Sequence, residues 1–213
     1  MSPYSIPVMQ MGFGPYLELL YEDRPLFDRL MQVNEDFCVQ WANAQLAAGA
    51  TAICYFDPVS SPSITPRELC VTTGFAVARR TLARIKGPVA THYASGRSLT
   101  VLDLTASTGT AAVGVSALEN LAELKADARG KVSLIGNLNG IQMVRWTAQD
   151  AAIKVQDAIA KAAPGGGFIL SDNHGEIPLQ VPEETLHAIA EATRTFGQYP
   201  IAATVPLAST AHG

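Results

Sequence analysis

Six short apolar runs alternate with longer segments of helical period. This alternation limits the chain to very few folds. The runs are "SIPVMQM" (5 to 11), "TAICYF" (51 to 56), "PVATHY" (88 to 93), "TAAVGV" (110 to 115), "KVSLIGN" (131 to 137) and "GFILSD" (167 to 172). Each is short enough for a buried strand. Gly49, Gly87, Gly109, Gly130 and Gly165 each close a helical stretch just before a strand, as a helix C-terminus favours. Strands apolar on both faces and joined by helices belong to a parallel sheet, because only a helix-covered sheet buries both sides. The pattern predicts an α/β fold with six parallel strand–helix units, arranged as a TIM-barrel-like (β/α) structure or a doubly wound sheet. With 213 residues and 48% hydrophobic content, the chain is expected to form one domain over 1–197. A loose tail is expected from 198 to 213, where prolines and small residues dominate.

Charge narrows the function classes. The net charge is −4 and no Lys/Arg cluster occurs, which argues against a nucleic-acid or anionic-membrane surface. No stretch reaches the roughly 18 apolar residues of a membrane span, and the start lacks a basic segment followed by a long apolar one. The three cysteines, Cys38, Cys54 and Cys70, show no CxxC spacing, so neither a disulfide framework nor a cysteine zinc site is indicated. A soluble cytoplasmic protein with a small-molecule or protein partner is expected.

Start signals mark the helices. "TPRE" (65 to 68) and "SALE" (116 to 119) fit the capping-box pattern, Thr147 and Asp150 make a weaker version, and Pro182 suits a first helical position. Phe37, Trp41 and Leu30 lie at near-helical spacing and read as core. Polar residues gather after the strands, where α/β folds place their chemistry. Asp57 follows "ICYF"; His92, Tyr93, Ser95 and Arg97 follow "VAT"; Asn137 and Asn139 follow "SLIG"; Asp172, Asn173, His174 and Glu176 follow "FIL". Two imidazoles at one end of a sheet can bind a metal with a carboxylate, or hydrogen-bond a substrate carboxylate. Each can also do no more than satisfy nearby backbone groups. The strand-end placement predicts that His92 and His174 share one pocket with Asp57 nearby.

These segments, in order, resemble the uroporphyrinogen decarboxylase superfamily, which includes cobalamin-dependent methyltransferases. "AQLAAGATAICYFDPVSSPSITPREL" is similar to the family's Gly-Ala-Asp strand and Ser-rich loop. "GPVATHYASG" is similar to the methyltransferases' His-x-Cys-Gly strand, "SLIGNLNG" to the shared Gly-Asn-x-Asp-Pro turn, and "SDNHGEIPLQVPEETLHAIAEA" to the last strand and helix. The resemblance implies an eight-stranded barrel, of which the first two strands have no counterpart here. It also implies methyl transfer between a corrinoid carrier, held on a partner protein, and a small acceptor. His92 and His174 would then orient the acceptor or hold a metal, with Asp57 as charge partner. Tyr93, Ser95, Arg97, Asn137, Asn139, Asn173 and Glu176 would contact the substrate. Alternatives are tetrapyrrole decarboxylation, with Arg97 the one nearby cation, and a non-catalytic subunit that completes a barrel with a corrinoid protein, a full-length paralogue or another copy of itself. The edge strands "SIPVMQM" and "GFILSD" would make the contacts of such an oligomer.

The chain departs from the methyltransferase pattern at the metal. Ala94 and His174 stand where the family's zinc-binding cysteines fall, which removes two soft ligands at once. Metal analysis of the purified chain is therefore expected to find well under one zinc per chain. One tightly held zinc that disappears in His92→Ala would contradict this.

Overall fold

The computed structural model describes residues 1–201. Five of the six expected strands form: β1 (Ile53–Phe56), β2 (Val89–His92), β3 (Ala112–Gly114), β4 (Ser133–Leu138) and β5 (Phe168–Asp172). They make one parallel sheet in the order β1-β2-β3-β4-β5. The register sets Phe56, His92 and Gly114 side by side and continues through Ile135 to Ile169. Sequential order with parallel pairing is the connectivity of a (β/α) barrel. Among the described residues β1 and β5 stay unpaired with each other, so the barrel is open.

The sixth expected strand is a helix. Residues 5–11 enter α1 (Ile6–Met11), followed by α2 (Phe13–Glu22) and the long α3 (Arg24–Ala47). Pro7 sits in the first turn of α1, where its fixed φ suits a helix and its missing N–H costs nothing. Only Ser2 reaches the sheet, its N–H donating to the Phe56 carbonyl at 2.8 Å. A short apolar run carries no decisive period, so its sequence reads as a strand equally well. Its apolar residues serve a helix packed on a second core instead. In that core Tyr4, Tyr16 and Phe27 pack with Met31, Val59 and Val77, with ring centroids 6.0 to 6.3 Å apart.

The sheet is covered on one face. Ile53, Tyr55, Val89, Thr91, Val113 and Leu134 are buried beneath helices. The main core continues outward from β3 and β4 to Leu121 and Leu124 of α7 (Leu121–Ala128), Val155 and Ile159 of α8 (Ala148–Ala162) and Ala192 of α9 (Glu183–Phe196). The alternate residues Cys54, Phe56, Ala90, His92, Ile135 and Ile169 face the other way and are half-buried or exposed. The expectation that both faces are buried thus fails for the described residues. Helices cover only the outside of such a sheet, and the inside is covered when strands close around it.

Local signals fared unevenly. Thr147 and Asp150 form a complete capping box at the start of α8. "SALE" does not: the helix starts later, with Asn120 as its cap, and Glu119 accepts instead from the Ser98 and Leu99 N–H groups at 2.9 and 2.8 Å. "TPRE" makes no side-chain cap either, Pro66 preceding α4 (Arg67–Thr72). Pro182 falls one residue before α9 rather than within it. Gly49, Gly109, Gly130 and Gly165 take positive φ as helix-ending glycines do, and Gly87 does not. Phe37 and Trp41, expected in the core, are exposed, while Leu30 packs against the Tyr4 cluster. In the expected tail, Tyr199 donates its hydroxyl to the Ala163 carbonyl at 2.7 Å; residues 202–213 lie outside the described part. Among the described residues no helix is long and apolar enough to cross a membrane.

The capping box gives a direct test. Thr147→Ala removes the hydroxyl that accepts from the Asp150 N–H at 3.1 Å, and such a loss costs about 1 kcal/mol. For a chain of this size the melting midpoint is expected to fall by about 2 to 4 °C, measured by thermal circular dichroism.

Candidate functional site

The carboxyl ends of β2, β3 and β5 converge on His92. Its ring lies between the Phe56 ring, stacked at 5.7 Å with an interplanar angle of 22°, and the bare backbone of Gly114. A Cβ added at Gly114 would sit 2.3 Å from the His92 Cδ2, so no other residue fits there without displacing the imidazole. Glycine inside a strand marks close approach of this kind, and the glycine in "AAVGV" was the sequence signal for it.

The His92 Nδ1 accepts the Ala94 N–H at 3.0 Å, which Ala94 presents from a positive φ of 55°. That bond fixes the tautomer with the proton on Nε2 when the ring is neutral. Burial lowers the His92 pKa from its ordinary value; Asp172 pulls it up and His174 pushes it down further. The turn after β5 closes over the ring, since a Cβ at Gly175 would lie 3.8 Å from the His92 Cε1. The Asp172 carboxylate shapes this turn by accepting the His174 and Gly175 N–H groups at 2.7 and 2.8 Å. Two buried atoms nearby have no hydrogen-bond partner among the described residues, the His174 Nδ1 and the Asn173 Oδ1. Buried polar atoms without partners are uncommon and call for a ligand, a water or a further segment of protein.

The other residues singled out from the sequence divide into those beside His92 and those elsewhere. Asn137 lies two residues along β4 from Ile135 on the open face, and its Nδ2 donates to the Ser116 carbonyl at 3.0 Å. Asp57 ends β1 but turns to the N-terminal segment, accepting the Ser2 and Ser5 hydroxyls, both at 2.7 Å. Burial pushes its carboxyl up and these hydroxyls pull it back. Tyr93 is buried, its hydroxyl 2.6 Å from the Thr105 Oγ1. The Ser95 carbonyl accepts the Ser116 hydroxyl at 2.9 Å. Arg97 lines a separate cavity of about 460 Å3 with Glu119 and Glu123. The Asn139 Oδ1 accepts the Gln142 N–H at 3.1 Å and so shapes its turn, and Glu176 is exposed. Phe56 and Gly114 join the site without having been singled out for it, and Asp172, named among the strand-end polar residues without a role, joins them. Among the described residues no group of three or more His, Cys, Asp or Glu side chains is placed to hold a metal ion.

An open parallel sheet in sequential order, with polar chemistry at its carboxyl ends, defines a (β/α)-barrel protein. The sequence model of the family described as "Uroporphyrinogen decarboxylase (URO-D)" matches residues 1–196, and the chain belongs to that family. The uroporphyrinogen decarboxylase of Solibacter usitatus is 28% identical over 181 residues, covering 84% of this chain and 51% of that protein. The enzyme of the same name from Mannheimia succiniciproducens is 28% identical over 195 residues, covering 87% and 54%. The chain thus spans about half the length of the curated relatives it matches. Among solved structures, a methyltransferase from Methanosarcina mazei superposes with a TM-score of 0.80 at 17% identity, over 92% of this chain and 57% of that one. At that identity the likeness establishes the fold.

The lowered His92 pKa has a defined consequence. A folded pKa below the unfolded value means that the unfolded chain binds more protons between the two. The stability held by neutral His92 is complete above the ordinary imidazole value near 6.5 and is lost as pH falls from there through the lowered folded value. The melting midpoint is expected to drop between neutral pH and pH of about 5, with a smaller drop in His92→Gln. Equal slopes in the two proteins would show that His92 is not the group responsible.

Proposed function

We propose that this chain carries the proton-handling side of a uroporphyrinogen decarboxylase-type site and takes a carboxylated tetrapyrrole as its substrate class. The observation that carries this reading is the placement of His92: clamped between Phe56 and Gly114 on the open face, its Nδ1 occupied by Ala94 and its Nε2 without a protein hydrogen bond among the described residues. The names of the relatives support the substrate class.

Loss of CO2 from a pyrrole side chain breaks the carbon–carbon bond to the carboxyl and leaves an electron pair, which the ring can delocalise. A proton must then reach the carbon left behind. A neutral imidazole whose Nε2–H points into the open face hydrogen-bonds and holds a solvent water beside that carbon; the water gives up the proton and leaves as hydroxide, while the imidazole keeps its own proton and its Nδ1 bond to Ala94. His174 and Asn137 add polar contacts at the rim. Phe56, Ile135 and Ile169 offer the macrocycle an apolar, partly aromatic floor. Arg97 belongs to a different cavity, so pairing of the substrate carboxylates with cations falls to the remainder of a complete barrel.

Methyl transfer from a corrinoid carrier to a small acceptor ranks second. The fold shared with the archaeal methyltransferase supports it, and the absence of a cysteine at Ala94 counts against it.

The two readings separate by ligand. Titration of the chain with uroporphyrin, followed by fluorescence quenching, is expected to show saturable binding. His92→Ala and His174→Ala should each weaken it by about tenfold, the loss of one buried hydrogen bond of roughly 1.4 kcal/mol. Methylcobalamin should not bind. Binding of methylcobalamin alone, or uroporphyrin binding indifferent to both substitutions, would reject the proposal.

A further inference from the structure

The amino ends of β3, β4 and β5, opposite the end that carries His92, border a cavity of about 510 Å3. Its walls come from the last turn of α7, the loop into β4 and the glycine turn before β5. Lys125, Arg129 and Lys131 line it together with Ser133. Among the described residues no carboxylate lines it, although acidic residues outnumber basic ones in the chain by 19 to 15. Three cations against no anion reverse the balance of the chain as a whole.

The surrounding protein does little to neutralise these charges. Lys131 pairs with Asp127 at 3.2 Å, with both side chains exposed, and a pair of that kind contributes little. Lys125 donates to the Gly166 carbonyl, which carries no net charge. Burial lowers the Lys125 pKa, and the Arg129 charge lowers it further, with no carboxylate pulling it back. Lys125 and Arg129 stand four residues apart, and like charges at that spacing repel. The C-terminal end of a helix attracts cations. That accounts for one charge at the end of α7 and leaves the gathering of three around a cavity unexplained.

The glycine turn adds geometry to charge. In "PGGG" (164 to 167) the three glycines take φ of 79°, 79° and 68°, a region that side chains disfavour, so this wall of the cavity is bare backbone. A Cβ added at Gly167 would stand 3.5 Å from the Lys125 Nζ and 3.8 Å from the Ser133 Oγ. An ammonium and a hydroxyl therefore face one spot beside the backbone. The turn lacks the Gly-Lys-Ser/Thr of a P-loop; α7 and the loop after it supply the cations instead.

We infer that this cavity binds a phosphoryl group, with Lys125 and Arg129 as its charge partners and the Ser133 hydroxyl as a hydrogen-bond donor. A phosphoryl group brings nearly two negative charges and three acceptor oxygens, which match the cations and the hydroxyl better than a single carboxylate does. The volume lies within the roughly 300 to 1,000 Å3 of small-molecule sites, so it also has room for an organic body on the phosphate. The site is separate from the His92 end of the sheet and does not depend on the tetrapyrrole reading.

Calorimetric titration of the intact chain in about 0.15 M KCl, which screens loose surface attraction, is expected to show saturable binding of inorganic phosphate or ribose 5-phosphate and none of ribose. Tighter binding of ribose 5-phosphate identifies a phosphorylated metabolite as the ligand, and phosphate binding at least as tightly identifies the free anion; either result upholds the inference. Arg129→Gln and Lys125→Gln should each weaken binding by about tenfold or more. Gly167→Ala should abolish it, and Lys154→Gln, at an exposed cation in α8, should change nothing. If Lys125→Gln or Gly167→Ala fails to fold, Arg129→Gln decides alone, because Arg129 is exposed. The inference is overturned if neither phosphate compound binds below about 10 mM, if ribose binds as well as its phosphate, or if Arg129→Gln binds as tightly as the unaltered chain.

Discussion

A buried carboxylate has to be hydrogen-bonded, because an unpaired one costs several kcal/mol, and the arrangement around Asp57 follows from that. Ser2 and Ser5 supply two hydroxyls to one oxygen, and the Ser5 hydroxyl also accepts the Val59 N–H at 3.3 Å. These bonds clamp the start of the chain across the end of β1. They turn residues 6–11 into a helix over Asp57 and place the Ser2 N–H on the Phe56 carbonyl at the sheet edge. The Tyr4, Tyr16 and Phe27 cluster then packs behind the clamp, with the Tyr16 hydroxyl donating to the Tyr4 carbonyl at 2.8 Å. With both serines on its carboxylate, Asp57 turns its side chain to the N-terminal segment, while its N–H donates to the His92 carbonyl at 2.8 Å.

One-sided burial has a matching consequence for the site. The helix-covered face of the sheet is packed from Ile53 to Leu134, which holds the strands rigid. The other face carries His92 in the same row as Phe56 and Gly114. Chemistry borne on rigid strands keeps its geometry better than chemistry borne on loops. Here the strand supplies the imidazole, the neighbouring strand supplies the space by having glycine, and the turn after β5 supplies the lid. Asp172 gives that turn its shape through two backbone bonds and reaches His92 electrostatically. A single carboxylate therefore links the conformation of the turn to the protonation of the ring.

Family membership and length bear on each other. The uroporphyrinogen decarboxylase match runs over residues 1–196, while the relatives are about twice as long as the region they share with this chain. The described residues hold a helix-packed outer face and an uncovered inner face of the sheet. The bare surfaces, the inner face and the outward side of α3, border the free edge of β1.

The strand–helix alternation, the parallel sheet and the strand ends where polar residues gather are legible in the sequence, because apolar periodicity and helix-ending glycines are local properties of the chain; the family is legible there through the resemblance of its motifs. It also brought forward His92 and His174, which the fold draws toward each other although 174 − 92 = 82 residues separate them, Gly175 beside His174 lying against the His92 ring. That residues 6–11 are helical, that Glu119 of "SALE" accepts from Ser98 and Leu99 rather than capping its own helix, that Asp57 serves the N-terminal clamp and that Phe37 and Trp41 face outward emerge only in the assembled fold. Each of those outcomes depends on a partner distant in sequence: Ser2 and Ser5 on Asp57, Glu119 on Ser98 and Leu99, α5 (Gly74–Leu82) on the inward side of α3. A hydroxyl or a carboxylate satisfies whichever group the fold brings within reach, and an apolar helix stripe is buried only when something packs against it. The residue types specify the need for a partner; the assembled sheet determines which partner meets it.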